Sequence, residues 1–214
     1  MSTDAFDDPT RGADRAVLLA HGAGSDKEAR VLVEVAASLA RAGVPSLRFD
    51  YPYRVAGKRA PDRPAVLDAA TRAAAADLAK GAGLPPDRLV LGGRSMGGRY
   101  CSLITGDADD PVRALGLLLL GYPLHPAGKP DRLRIEHFPR ISVPCLFVSG
   151  TRDSLAGQAA LEKATRAIKG PVAFHWLESA DHGYRPLKAS GRTVDDVAAE
   201  VARVSVDWVR TLPG

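Results

Sequence analysis

Cysteine is nearly absent from this chain, which has only Cys101 and Cys145 in 214 residues. Two thiols so far apart give neither the disulfide framework of a small secreted domain nor the ligand spacing of a structural zinc site, so a reducing compartment is expected, by default the cytoplasm. Long apolar runs are missing too. None approaches the roughly 20 residues of a membrane span, and Met1 to Pro9 lacks the basic start and apolar segment of a signal peptide. Excess charge of one sign is also lacking. Lys and Arg total 29 against 25 Asp and Glu, and the arginines alternate with acids instead of forming a basic face, which argues against a nucleic-acid partner. The one dense basic stretch, Arg54, Lys58, Arg59 and Arg63, contains Asp62. No group of carboxylates and histidines has metal-ligand spacing, and no cofactor is implied. There is no internal repeat and no linker. The expectation is one domain over residues 15–214, preceded by a frayed terminus over 1–14.

What is present is a regular alternation of strand and helix signals. Short apolar runs at Arg15–Ala20, Ser46–Asp50, Arg88–Leu91, Ala114–Leu120, Pro144–Gly150 and Val172–Leu177 read as six strands. Helical periodicity separates them. Leu32, Val35, Ala36 and Leu39 follow a capping-box pattern at Ser25 to Glu28, and Leu67, Ala70, Ala74 and Leu78 follow Pro64. Val197, Val201, Val204 and Trp208 close the chain. Such alternation predicts an α/β fold with a parallel sheet between two helical layers, with sites beyond the carboxyl ends of the strands.

Glycine is plentiful at one such end. Gly93-Arg94-Ser95-Met96-Gly97 joins an apolar strand directly to a helix, the context of a nucleophile elbow with Ser95 as the nucleophile. A serine hydroxyl is weak at neutral pH and needs a base, and the base needs a carboxylate to fix its tautomer. His182, in the loop after the last strand, is preferred over His175 inside that strand. Asp153, immediately after Pro144–Gly150, is preferred over Asp181, whose side chain diverges from its neighbour's on an extended loop. The expected oxyanion donors are the backbone N–H groups of Met96 and of Ala23 in His21-Gly22-Ala23-Gly24, with Gly22 or Gly24 as the second donor if the loop is shifted and His21 bracing that loop.

These residues, in this order, resemble the alpha/beta-hydrolase superfamily, and the resemblance covers nearly everything from Arg15 onwards. Among its subgroups the chain is similar to the small dienelactone-hydrolase-like proteins, although their eponymous enzyme has cysteine where this chain has Ser95. Arg48 to Tyr53, Gly92 to Arg99 and Gly121 to Pro126 are similar to a hydrolase-like family that includes a subunit of the nonspecific-lethal chromatin complex and its testis-expressed relative. The resemblance implies a three-layer fold with a triad of Ser95, Asp153 and His182. Two departures from it are expected: a sheet reduced to about six strands, because little chain precedes Arg15, and no sizeable cap, because Gly121 to Val143 is short.

The pocket should then be shallow and open, lined by Tyr51, Tyr53, Tyr122, Leu124 and His125. The implied function is a serine hydrolase acting through an acyl-enzyme on a small ester, thioester or related acyl compound, with that small molecule as its partner. An acidic acyl group is favoured by Arg54 to Arg63, Arg94 and Arg152. The rival readings are a hydrolase-like binding or scaffold protein and a peptidase.

Overall fold

The computed structural model describes residues 5–7 and 12–214. Among these residues seven strands form one sheet: β1 (Ala5–Asp7), β2 (Ala16–Ala20), β3 (Ser46–Phe49), β4 (Leu89–Arg94), β5 (Gly116–Leu120), β6 (Cys145–Arg152) and β7 (Val172–Asp181). Their spatial order is β1-β3-β2-β4-β5-β6-β7, parallel throughout except for β1, which runs antiparallel along β3. The sheet has one strand beyond the six read from the sequence, in keeping with the expectation of about six. Three residues suffice for it, because β1 only edges the sheet and lays the Phe6 ring over Gly81. The rest of the segment expected to fray, residues 1–4 and 8–11, lies outside the described residues.

Among the described residues six α-helices accompany the sheet: α1 (Arg30–Arg41), α2 (Pro52–Val55), α3 (Pro64–Ala82), α4 (Met96–Thr105), α5 (Gln158–Thr165) and α6 (Val194–Thr211). The central strands β2 and β5 are fully buried, as continuous apolar runs in parallel sheets must be. Alternate residues feed opposite layers. Leu18, Leu117 and Leu119 join Leu67, Ile104 and Leu161 of α3, α4 and α5, while Val17, Leu118 and Leu120 join Leu32 and Val35 of α1 and Val197 and Val201 of α6. Each buried leucine contributes about 1.5–3 kcal/mol of transfer free energy, so both layers are held chiefly by burial.

Capping differs from the pattern at one helix and follows it at another. Ser25 to Glu28 does not cap α1, which starts at Arg30 after Ala29 with no side-chain cap. The Lys27 N–H and ammonium are both drawn to the Asp50 carboxylate at the end of β3, which holds that segment as a turn. At α6, Thr193 and Asp196 form a reciprocal capping box.

The chain crosses to opposite sides of β2: α1 leads to β3 on one side and α3 returns to β4 on the other. The carboxyl ends of β2 and β4 therefore flank a topological switch point, where open α/β sheets form their crevices. The segment from Gly121 to Val143 contains only a single short turn of 3-10 helix, so no cap covers that end. Among the described residues no helix is long and apolar enough to cross a membrane.

Candidate active site

Ser95 sits between β4 and α4 with φ 49° and ψ −112°, a conformation that a side-chain-bearing residue holds only under constraint from its surroundings. Its N–H donates to the Leu120 carbonyl of β5 at 2.8 Å, and its carbonyl accepts from the Arg99 N–H at 3.0 Å. The flanking glycines permit the close approach of β2. A Cβ on Gly93 or Gly97 would lie 2.1 or 2.3 Å from the Ala20 carbonyl oxygen, inside any allowed contact.

The structure brings the predicted partners together. Ser95 Oγ is 2.9 Å from His182 Nε2, and His182 Nδ1 is 2.8 and 3.0 Å from the two Asp153 oxygens. In the neutral imidazole this arrangement puts the proton on Nδ1, donated to the carboxylate, and turns the Nε2 lone pair to the hydroxyl. The Asp153 side chain is fully buried, while that of His182 is 22% exposed at the cleft. Asp153 also accepts from the Leu155 N–H but does not cap α5, which starts beyond Gly157. His175 instead meets Glu200 at 2.7 Å, and Asp181 accepts from the Arg185 N–H within its own turn.

The histidine loop is clamped by residues whose role the sequence did not reveal. The Arg94 guanidinium donates to the His182 carbonyl and lies over the Tyr184 ring, 4.7 Å from its centre. Tyr184, at φ 62°, donates its hydroxyl to the Val148 carbonyl of β6.

On the other side of Ser95, the loop after β2 turns with the Ser25 N–H on the Gly22 carbonyl. His21 is wholly buried beneath it, with Nδ1 2.8 Å from the Gly22 carbonyl and Nε2 3.2 Å from the Tyr51 nitrogen. The Tyr51 N–H donates to Nε2, so the proton on Nδ1 goes to Gly22. Burial holds the His21 pKa below the usual histidine value, against smaller opposing pulls from that carbonyl and from Asp50. His21 therefore braces the loop as a neutral ring. Ala23 and Met96 lie beside Ser95, and among the described residues neither backbone N–H donates to another group of the chain.

Two open clefts meet at Ser95 and Ala23. One, of about 390 Å³, has His182, Gly183, Tyr184 and Val31 in its wall. The other, of about 420 Å³, has Met96, Leu67, Pro123 and Leu155. The expected pocket lining is corrected here. Tyr51, Tyr53, Tyr122 and Leu124 are buried in the core, with the Tyr51 hydroxyl on Thr71 and the Tyr122 hydroxyl on the Arg134 carbonyl. His125 turns to the Pro126 carbonyl and lines neither cleft. Three of the cations expected to attract an acid are engaged elsewhere: Arg54 with Asp26, Arg94 with His182, and Arg152 with the Ser179 carbonyl.

A parallel sheet with a strained strand-to-helix elbow and a late histidine at its carboxyl edge is the arrangement of the alpha/beta hydrolases. The chain belongs to that family: the alpha/beta hydrolase domain pattern matches residues 13–210. Solved structures agree in fold. An alpha-beta serine hydrolase homologue from Coxiella burnetii superposes with a TM-score of 0.69 at 16% identity, covering 94% of this chain and 90% of its own. The esterase domain of a Rhodothermus marinus protein gives 0.69 at 21%, covering 98% and 92%. A dienelactone hydrolase from Anabaena variabilis gives 0.62 at 20%, covering 95% and 88%.

Proposed function

We propose that this chain is a serine hydrolase that cleaves a small ester, thioester or related acyl compound through an acyl-enzyme. The observation that carries the reading is the continuous hydrogen-bonded line from Ser95 Oγ through His182 to Asp153 at the open end of the sheet. In the first half-reaction His182 Nε2 takes the Ser95 proton as Oγ bonds to the acyl carbon. The same proton then passes to the leaving oxygen or sulfur as the scissile bond breaks. In the second half, water replaces the leaving group and the steps repeat. Asp153 stabilises the imidazolium that forms in each half. The N–H groups of Ala23 and Met96 receive the oxyanion, and two such donors lower the barrier by several kcal/mol.

Of the three segments that resemble the chromatin-complex subunit family, Gly92 to Arg99 holds Ser95 and the other two supply framework. Phe49, Tyr51 and Tyr53 pack beneath the His21 loop, and Tyr122 lies in the core. That finer likeness therefore supports a shared architecture more than a binding role. A fluorophosphonate probe tests the hydrolase reading: it should label Ser95, and labelling should vanish in His182→Ala while the fold persists. A folded wild-type protein that resists the probe overturns the reading.

A further inference from the structure

The triad leaves the charge of the second cleft unexplained. Arg99, in the first turn of α4, and Arg134, between β5 and β6, both line the cleft that holds Ser95, Met96 and Ala23. Among the described residues neither guanidinium has a carboxylate within ion-pairing distance. Four other buried or half-buried arginines do have a carboxylate: Arg15 with Asp14, Arg48 with Glu28, Arg72 with Asp68 and Arg192 with Glu200. Arg99 Nε is buried without a hydrogen-bond partner, and its guanidinium carbon lies 5.8 Å from the centre of the Tyr100 ring. The one carboxylate in the same wall, Asp62, pairs with neither arginine and itself keeps a buried, unpartnered oxygen.

The two cations act on each other and on their surroundings. Burial, and next Arg99, hold Arg134 below the ordinary arginine range, and after burial the largest influence lowering His137 is again Arg99. An unneutralised pair in a partly desolvated wall is costly to keep and ready to take an anion from outside, and guanidinium forks match a carboxylate in geometry as well as charge.

Position decides which part of a substrate meets the pair. His182 must deliver its proton to the leaving atom, so the leaving group lies on the side walled by His182, Gly183 and Tyr184. The cleft with the arginines has Ser95 and both candidate oxyanion donors in its wall but not His182, which makes it the side of the acyl chain. Resting on the acyl-enzyme reading above, we propose that Arg99 and Arg134 form a subsite for a carboxylate at the far end of the acyl group. The preferred substrates are then half-esters or half-thioesters of short dicarboxylic acids.

Monophenyl glutarate and phenyl valerate share chain length and leaving group and differ in the terminal carboxylate. The glutarate ester should have a kcat/KM about tenfold or more higher, and Arg99→Gln or Arg134→Gln should each remove about tenfold of it while changing phenyl valerate by less than about twofold. Arg134→Gln, on a loop, serves if the helix variant fails to fold. Binding supplies a readout independent of turnover. By calorimetry, Ser95→Ala protein should hold glutaric acid monoanilide about tenfold more tightly than valeranilide, and adding Arg134→Gln should abolish the difference. Equal binding of the two anilides overturns the subsite, whatever the rates. If neither ester is turned over but the anilides are still discriminated, the subsite stands and the acyl-transfer reading falls.

Discussion

Gly97→Ala isolates the contact that ties the Ser95 elbow to the end of β2 and the Ala23 loop beyond it. The added methyl would sit 2.3 Å from the Ala20 carbonyl oxygen, 2.5 Å from its carbon and 2.7 Å from its Cβ. None of these atoms belongs to a side chain that could rotate away. Restoring ordinary contact requires α4 and the end of β2 to part by roughly 1 Å. Overpacking of this kind costs about 2–3 kcal/mol in a close-packed interior. The same displacement shifts Ala23, three residues beyond Ala20, relative to Met96, the first residue of the moving helix. Misplacement of about 1 Å at a reacting centre lowers turnover on the order of 100-fold. Urea denaturation followed by tryptophan fluorescence measures the first effect, and kcat/KM on a phenyl ester, or the rate of fluorophosphonate labelling, measures the second. Gly157→Ala is the control. Nothing lies within 4 Å of its added methyl, so it should cost no more than about 1 kcal/mol, the ordinary penalty of alanine before a helix, and leave activity unchanged. A Gly97→Ala protein with the wild-type midpoint and the wild-type rate would refute the reasoning, because the two backbones could then separate freely or never touched.

Two further outcomes follow from the hydrogen bonds of the site and the core. Asp153→Asn keeps the shape of the carboxylate but presents an amide to His182 Nδ1 that favours the wrong tautomer, so kcat should fall about 10³- to 10⁴-fold with little change in KM. Full steady-state curves on one ester decide it, and a loss confined to KM would contradict the orienting role. His137 is 2% exposed, and its pKa is lowered to about 4, first by burial and then by Arg99 and Arg140. Because the folded value lies below the unfolded value of about 6.5, the neutral ring supports the fold fully above pH 6.5 and loses that contribution as pH falls towards 4. Acidification from pH 7.5 to 4.5 should therefore destabilise the wild type by about 2 kcal/mol more than His137→Gln. Parallel pH slopes in urea titrations of the two proteins would remove His137 as the source.

Much of the site was legible because its requirements are local or ordered along the chain. Gly-x-Ser-x-Gly after an apolar run fixes an elbow by steric necessity, and Ala20 now accounts for both glycines. Asp153 and His182 could be chosen because strand ends in a parallel sheet share one edge. The pocket walls were not legible. Tyr51, Tyr53, Tyr122 and Leu124 sit next to loop signals, and only the packing reveals that they point into the core. Similarly, Ser25 to Glu28 matches a capping pattern, but Asp50, more than 20 residues away, recruits Lys27 and delays the helix. The edge strand Ala5–Asp7 carries almost no pattern of its own and exists through pairing with Ser46–Arg48.

Arginines show most clearly why charge cannot be assigned from sequence. Arg94 and Arg99 flank the same serine in one short motif, yet their roles differ. Arg94 is drawn across to the His182 carbonyl and the Tyr184 ring, where it secures the loop that carries His182. Arg72 on α3 represents the other extreme, with Asp68, Asp107 and Asp110 all within ion-pairing distance. There the chain surrounds a structural cation with carboxylates. Leaving Arg99 and Arg134 side by side without one, in the wall that adjoins Ser95, runs against that pattern and costs the fold electrostatic stability. A cost of this kind, at the rim of a strained serine, is what a site retains when an external anion completes it.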